Sequence, residues 1–330
     1  MTDSEIFVQA PLVVRSPNWL GDAVMALPAV RNLKTMLMDD LLAVASPQKL
    51  VALWQRCPFV DQVISLDEPK NIQVTAQQLR GGNFASAVLL PNSVRVATEA
   101  WLAGIPQRFG YARGGRGLLL TRTIPAPVRD PARLHQRYYY LDLVMALGGP
   151  DDPTLPKLRK EPTTVAAGSR GLVLAICPGA EYGPAKRWPI ENFVVVARHF
   201  MAKRRAKIML LGAPVDVPVA EEFVQQLPGI DNRVGKTSLD EFMAALVTAR
   251  LVICNDSGAM HVASALGVPT LAVFGSTENQ LTGPMGPRSR VLRHHVPCSP
   301  CFLRECPIDF ACMRNVTPDM VIAAAEVLLR

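Results

Sequence analysis

The stretch Leu251–Pro269 constrains the fold more than any other part of the chain. Leu251-Val252-Ile253-Cys254 is an unbroken apolar run of strand length, and Asn255-Asp256-Ser257-Gly258 is a polar turn. A helical pattern follows, closed by Gly267 with Pro269 just beyond. A second apolar run, Thr270–Phe274, comes at once and ends in another turn, Gly275-Ser276-Thr277. Strand, helix and strand in such close succession make a βαβ unit, and therefore a parallel sheet. Asp256 and Ser257 are both helix-capping residue types, and Gly258 lets the backbone approach a ligand closely. The open N–H groups at a helix start, with the positive end of its dipole, suit an anion such as a diphosphate. His261 lies about one turn further on and can share that face. Taken alone, this unit leaves open whether Asp256 merely caps and His261 merely packs.

The same grammar recurs through the chain. Pro11–Arg15 reads as a short buried strand, followed by the turn Ser16-Pro17-Asn18-Trp19-Leu20-Gly21-Asp22 and a helical pattern to about Leu37. Further strands are predicted at Leu41–Ala45, Gln62–Leu66 and Ser86–Leu90. Helices are predicted near Pro47–Arg56, Asn71–Arg80, Val94–Ala103 and His135–Leu147. Gly110–Gly117 is too glycine-rich for regular structure and is expected to be a loop. Residues Gly148–Gly168 break the pattern with Pro150, Pro153, Pro156 and Pro162, as a linker would. Alternation restarts with strand Leu172–Cys177, helix Ile190–Lys203, strand Lys207–Leu211 and helices Pro218–Leu227 and Leu239–Thr248. A last helix spans Pro318–Leu329. The expectation is an α/β protein with an N-terminal domain over 1–150, a linker over 151–168 and a second doubly wound domain over 169–330.

A chain of 330 residues has room for two such cores. With 49% hydrophobic and 19% charged residues it is globular in composition, and no apolar run is long enough to span a bilayer. Met1-Thr2-Asp3-Ser4-Glu5 lacks the order of a signal peptide, which favours the cytoplasm. The net charge of +7 is unevenly spread: Arg95, Arg108, Arg113, Arg116, Arg122, Arg129, Arg133 and Arg137 face only Glu99 and Asp130 across one segment. That cluster favours an acidic partner such as phosphates, sugar acids or an anionic membrane face. A nucleic acid is disfavoured because no reading motif accompanies the arginines.

Chemistry concentrates at the strand ends. Asp22 lies in a turn where doubly wound sheets bind ligands, but the single Gly21 rejects a dinucleotide fingerprint. Pro178-Gly179-Ala180-Glu181-Tyr182-Gly183-Pro184-Ala185-Lys186-Arg187-Trp188-Pro189 is a mouth loop ending in two cations fit for phosphate. Gly235-Lys236-Thr237-Ser238 is no P-loop, since five residues separate Gly229 from Gly235 and a helix precedes them. Cys298, Cys301, Cys306 and Cys312 have the clustered spacing of a structural zinc site, with disulfide pairing and plain thiols as alternatives.

Together, Ser16–Asp22, Cys177–Pro189 and Asn255–His261 resemble the motifs of the ADP-heptose:lipopolysaccharide heptosyltransferases, glycosyltransferase family 9. The resemblance spans roughly Leu12–Leu329, and the Cys177–Pro189 motif, with Leu90-Pro91-Asn92-Ser93 and the Gly110–Gly117 segment, looks most like the type II members. It implies a GT-B fold, two Rossmann-like domains facing across a cleft, with the last helix free to return to the first domain. It implies inverting transfer of L-glycero-D-manno-heptose from ADP-heptose to a lipopolysaccharide inner-core sugar, with no cofactor required for catalysis. By the same resemblance Asp22 is the general base and Lys186 stabilises the departing diphosphate. Glu181, Tyr182, Asp216, Lys236, Asp256, Ser257, Gly258 and His261 would bind the nucleotide sugar. Asn18, Asn92, Ser93, Arg113 and Arg116 would bind the anionic acceptor at the inner membrane face. Two other readings stay open: a transferase using another core acceptor or nucleotide sugar, and a two-domain protein that binds a sugar phosphate without turnover.

Overall fold

The computed structural model describes residues 8–68, 71–128, 130–160 and 171–330. The chain divides between Arg159 and Lys160 into two compact units.

The first unit is built on a six-stranded sheet of β1 (Leu12–Arg15), β2 (Leu42–Pro47), β3 (Gln62–Leu66), β4 (Ser86–Leu89), β5 (Gln107–Tyr111) and β6 (Arg122–Ile124). Their order is β3-β2-β1-β4-β5-β6, and every neighbouring pair is parallel. The second unit repeats the plan with β7 (Val173–Cys177), β8 (Lys207–Leu210), β9 (Asp231–Asn232), β10 (Leu251–Asn255), β11 (Thr270–Phe274) and β12 (Ser289–Arg293). Its order, β12-β11-β10-β7-β8-β9, is the same winding, again fully parallel. Strands at the centre of such sheets are covered on both faces and read as continuous apolar runs. This is so of Leu12–Val14, Leu174–Cys177, Leu251–Cys254 and Leu271–Phe274, all buried.

In each sheet the winding reverses direction between its first and fourth strands, and the carboxyl ends on either side of that reversal form a crevice. In the first unit the flanking strands are β1 and β4, and in the second β7 and β10. The four turns leaving these strands are Ser16–Trp19, Leu90–Ser93, Pro178–Trp188 and Asn255–Ser257, the four polar stretches that stand out in the sequence.

Several predicted elements change. The single helix expected after Asp22 and running to about Leu37 is two, Leu20–Met25 and Leu27–Leu37, the first beginning inside the predicted turn and Pro28 standing in the first turn of the second. Pro47–Arg56 is not one helix: Pro47 ends β2 and the helical turn is Val51–Gln55. Gly110–Gly117 is not wholly a loop. Gly110 and Tyr111 close β5, and Arg116–Leu119 is a 3-10 turn. Residues of the predicted linker are strapped onto the first unit: Asn32 Nδ2 donates to Pro150 O, and Arg159 N–H donates to Arg56 O. The stretch 161–168, like Met1–Glu5 and Arg129, lies outside the described residues. The last helix, Pro318–Leu328, packs on helix Ile190–Arg204, β11 and β12 of the second unit. Among the described residues no helix is long and apolar enough to cross a membrane.

Candidate active site

In the second unit the turns after β7 and β10 are joined by one side chain. Asn255, wholly buried at the end of β10, donates through Nδ2 to Pro178 O at 2.7 Å. Its Oδ1 accepts the Trp188 N–H at 2.9 Å. It therefore holds both ends of the loop that carries Lys186. Trp188 is buried in turn, with its indole N–H on Val316 O at 2.7 Å and its ring edge-on to Phe193.

Within that frame Lys186 Nζ lies 2.6 Å from Asp256 Oδ2 and 4.6 Å from the centre of the Tyr182 ring. Thr277, in the turn after β11, donates its hydroxyl to the same Asp256 oxygen at 2.6 Å. Helix Gly258–Ala265 starts immediately beside them with Ser257 at its N-cap in extended backbone, and no side chain caps it. The Ser257 hydroxyl, buried, has no hydrogen-bond partner among the described residues. An uncapped helix start, an unengaged hydroxyl and a lysine make a site suited to phosphate oxygens. His261 is buried one turn into this helix. As the sequence indicated, Gly267 ends it with φ +70°, a conformation glycine adopts without strain.

The other expected nucleotide-side residues are more dispersed. Asp216 is buried against Gly179, where a Cβ would lie 2.0 Å from the carboxyl carbon, so only glycine fits. Burial pushes its pKa up, partly offset by the Ala213 N–H at Oδ2, and Oδ1 has no partner among the described residues. Lys236 turns its ammonium onto Asn232 O at 3.0 Å. Glu181 is exposed, and Tyr182 donates its hydroxyl to Phe302 O at 2.7 Å.

That last contact belongs to the cysteine-rich segment. Phe302 N–H donates to Ser276 O, and Ala185 N–H donates to Arg304 O, so this segment braces the loops on either side of Lys186. Gly183 makes the approach possible: at φ +152° its Cβ would sit 2.4 Å from Arg304 O. Zinc is one of the three readings open for Cys298, Cys301, Cys306 and Cys312, beside disulfides and plain thiols. Burial raises the pKa of Cys312, and the other three lie near enough for their charges to raise it further. Among the described residues no three His, Cys, Asp or Glu side chains are gathered to hold a metal ion. All four are free thiols, and Cys306 Sγ accepts the Phe310 N–H instead.

In the first unit Asp22 stands in the first turn of helix Leu20–Met25, just beyond β1, and is half-buried. Burial raises its pKa, and a hydrogen bond from the Tyr140 hydroxyl to Oδ1, 3.3 Å long, lowers it in part. Beneath this turn Arg15 is buried in an ion pair with Glu99 at 3.5 Å, and it donates to Ser16 O and to Asn18 Oδ1. Neither this pair nor Tyr140 was visible as a functional element in the sequence.

The acceptor-side expectations divide. Arg113 is exposed after β5, its guanidinium 5.9 Å from the centre of the Tyr139 ring. Arg116 does not present its charge: it is fully buried and donates to Pro91 O, Leu89 O, Tyr111 O and Asn92 Oδ1. Gly110 makes room for it, since a Cβ there would meet its Nη2 at 2.8 Å. Asn92 passes the network on, donating to the Tyr139 hydroxyl at 2.6 Å, and Ser93 caps helix Val94–Leu102. Arg108 likewise turns inward to Leu119 O and Ile105 O, and Arg133 pairs with Asp142 and Asp151, so much of the arginine cluster is structural.

Residues 72–311 match the model of glycosyltransferase family 9, the heptosyltransferases. The chain belongs to this family. It is 30% identical over 309 residues to lipooligosaccharide heptosyltransferase 2 of Haemophilus influenzae, covering 86% of this chain and 88% of that one. It is similar to the structure of Escherichia coli ADP-heptose lipopolysaccharide heptosyltransferase II, with a TM-score of 0.81 at 26% identity over 96% of this chain and 98% of that one. An E. coli heptosyltransferase solved with ADP shares the fold, with a TM-score of 0.74 at 16% identity over 96% and 99% of the two chains. The heptosyltransferase is thus a glycosyltransferase whose two parallel six-stranded sheets match the GT-B plan.

Proposed function

We propose that this heptosyltransferase moves L-glycero-D-manno-heptose from ADP-heptose to the first heptose of the lipopolysaccharide inner core, with inversion. The observation that carries the reading is the convergence of Lys186, the uncapped start of helix Gly258–Ala265 and the unengaged Ser257 hydroxyl at one switch point. Such a site takes a diphosphate, and the relatives named above support ADP-heptose as its source. The acceptor choice follows the type 2 relatives, and Arg113 supplies a cation toward an anionic core. Catalysis needs neither metal nor cofactor in this reading, and the enzyme meets its acceptor at the cytoplasmic face of the inner membrane.

The chemistry is a single displacement. Asp22 takes the proton of the acceptor hydroxyl as its oxygen attacks the anomeric carbon of the heptose. The bond from that carbon to the diphosphate breaks, and ADP leaves with both electrons. Lys186 exchanges Asp256 for the phosphate oxygens and neutralises the charge that develops there. A raised pKa suits Asp22 to the task, because a carboxylate that burial disfavours is the stronger base.

The test is ADP release from ADP-heptose with two purified acceptors, Kdo₂-lipid A and its monoheptosylated form, for wild type and Asp22→Ala. Release only with the monoheptosylated acceptor, and its loss in the variant, is expected. Release only with the unheptosylated acceptor reassigns the enzyme to the first core transfer, and release with neither overturns the choice of nucleotide sugar.

A further inference from the structure

Asp22 is held by a residue far from it in the chain. Tyr140, on helix Gln136–Met145, is buried and points its hydroxyl at Asp22 Oδ1 from 3.3 Å. Gln136, one turn earlier on that helix and so on the same face, hydrogen-bonds the Tyr140 hydroxyl. An amide that donates to the phenol oxygen strengthens the phenol as a donor in turn. Burial and the neighbouring Asp22 both push the phenol's pKa far up, so it keeps its proton wherever the enzyme works.

We propose that Tyr140 is a positioning residue for the transfer, with its hydroxyl, backed by Gln136, fixing one oxygen of Asp22 so that the other takes the acceptor's proton. The inference rests on the reading of Asp22 as the base. Helices Leu27–Leu37 and Gln136–Met145 pack against the helix that carries Asp22, and their other charged groups are engaged elsewhere. Arg31 pairs with Asp152 and Lys34 with Asp61. Arg137 donates to the Tyr138 hydroxyl, and Asp142 pairs with Arg133. Lys49 lies over the Trp19 ring. Among the described residues Tyr140 is therefore the titratable group that acts on Asp22.

A phenol that only filled space would contribute to folding and leave the base untouched. A phenol that donates to the carboxylate stabilises its charged form, and its removal moves the titration of Asp22 upward. Two measurements on the full-length enzyme separate these roles. The first is ¹³C NMR titration of Asp side-chain carboxyls, with the Asp22 signal assigned by its loss in Asp22→Asn. The second is kcat/KM against pH with ADP-heptose and monoheptosylated Kdo₂-lipid A. In Tyr140→Phe the Asp22 midpoint and the acidic limb of kcat/KM both move up by about one unit, the low end for a hydrogen bond to a charged acceptor. Activity then falls about tenfold below the limb and, with Asp22 no longer held in one orientation, by a smaller factor above it that lies in kcat rather than KM. Gln136→Met moves both the same way by less, and it decides the matter should Tyr140→Phe fail to fold. An unmoved midpoint and limb, with Asp22→Asn inactive, overturn the role of Tyr140 and leave the base in place. Full turnover in Asp22→Asn overturns the base itself, and this inference with it.

Discussion

Replacing Asn255 by Ala tests how the loop that carries Lys186 is held. The side chain is wholly buried and makes one strong contact at each end of its amide, to Pro178 O at 2.7 Å and from Trp188 N at 2.9 Å. Each intramolecular hydrogen bond contributes about 0.5–1.5 kcal/mol net, and each partner left buried and unsatisfied costs about 1–3 kcal/mol. With two partners orphaned, the loss comes to about 2–6 kcal/mol, and a water entering the small gap would hold it to about 3 kcal/mol. A domain of this size, about 170 residues, shifts its Tm by about 2–4 °C per kcal/mol, so the second unit should melt about 6–12 °C lower. Calorimetry on the full chain reads this, and titration with ADP reads the loosened loop as weaker binding. Asn255→Asp sharpens the test. At neutral pH its carboxylate still accepts from Trp188 but turns a second oxygen onto Pro178 O, so it should melt no higher than the alanine variant. In mild acid the protonated carboxyl can donate to Pro178 O, and stability should partly return. A drop under about 2 °C for alanine, or an aspartate variant as stable as wild type at neutral pH, would refute the reasoning.

Lys186→Met should lower kcat by about 10²–10³-fold, the range for removing one preorganised charge from a developing oxyanion. It should also lower the Tm, because Asp256 is left buried with Thr277 as its remaining partner; turnover and melting assays check the two effects together. Arg116→Lys should destabilise the first unit by about 2–4 kcal/mol, read by chemical denaturation, since one ammonium cannot replace a fork that serves four oxygens. Asp22→Asn should be inactive yet more stable than wild type at neutral pH. The folded pKa of Asp22 is raised, so between the unfolded value and the folded one the native state binds more protons and loses stability as pH rises. The Tm advantage of the variant should therefore be absent below about pH 3, grow through the acidic range and level off above the folded pKa.

The central strands were legible because burial on both faces leaves them apolar throughout, as in Leu251–Cys254. Of the strands nearer the edges, β3 was legible as Gln62–Leu66, but β5, β6, β9 and β12 were not. β5 carries both Arg108 and Gly110, β6 opens on Arg122, and β12 has only Val291 and Leu292 as apolar residues among Ser289, Arg290 and Arg293. Their pairing with an already formed neighbour makes them strands, which local composition does not record. Asp22 in the first unit, and Lys186 and Asp256 in the second, stood out as charges at strand ends, where an open parallel sheet gathers its ligands. Arg116 misled for the same reason, since an arginine in a glycine-rich run looks like a surface charge until its four carbonyl and amide partners are seen. Tyr140 could not be found from spacing at all, because its partner lies 118 residues away.

The pairing of Lys186 with Asp256 has a kinetic side. At 2.6 Å the two charges look from a distance like a dipole, whose field fades faster than that of a lone cation. Paired in this way, Lys186 itself adds little to the long-range pull on passing anions. A lone inorganic phosphate would have to break a buried ion pair for a single contact, whereas a nucleoside diphosphate reaches the helix start and the Ser257 hydroxyl in the same encounter. Association of ADP should accordingly vary little with ionic strength, and cellular phosphate should compete poorly for the crevice. The carboxylate that keeps the lysine in place should thereby also weigh against a lone inorganic phosphate.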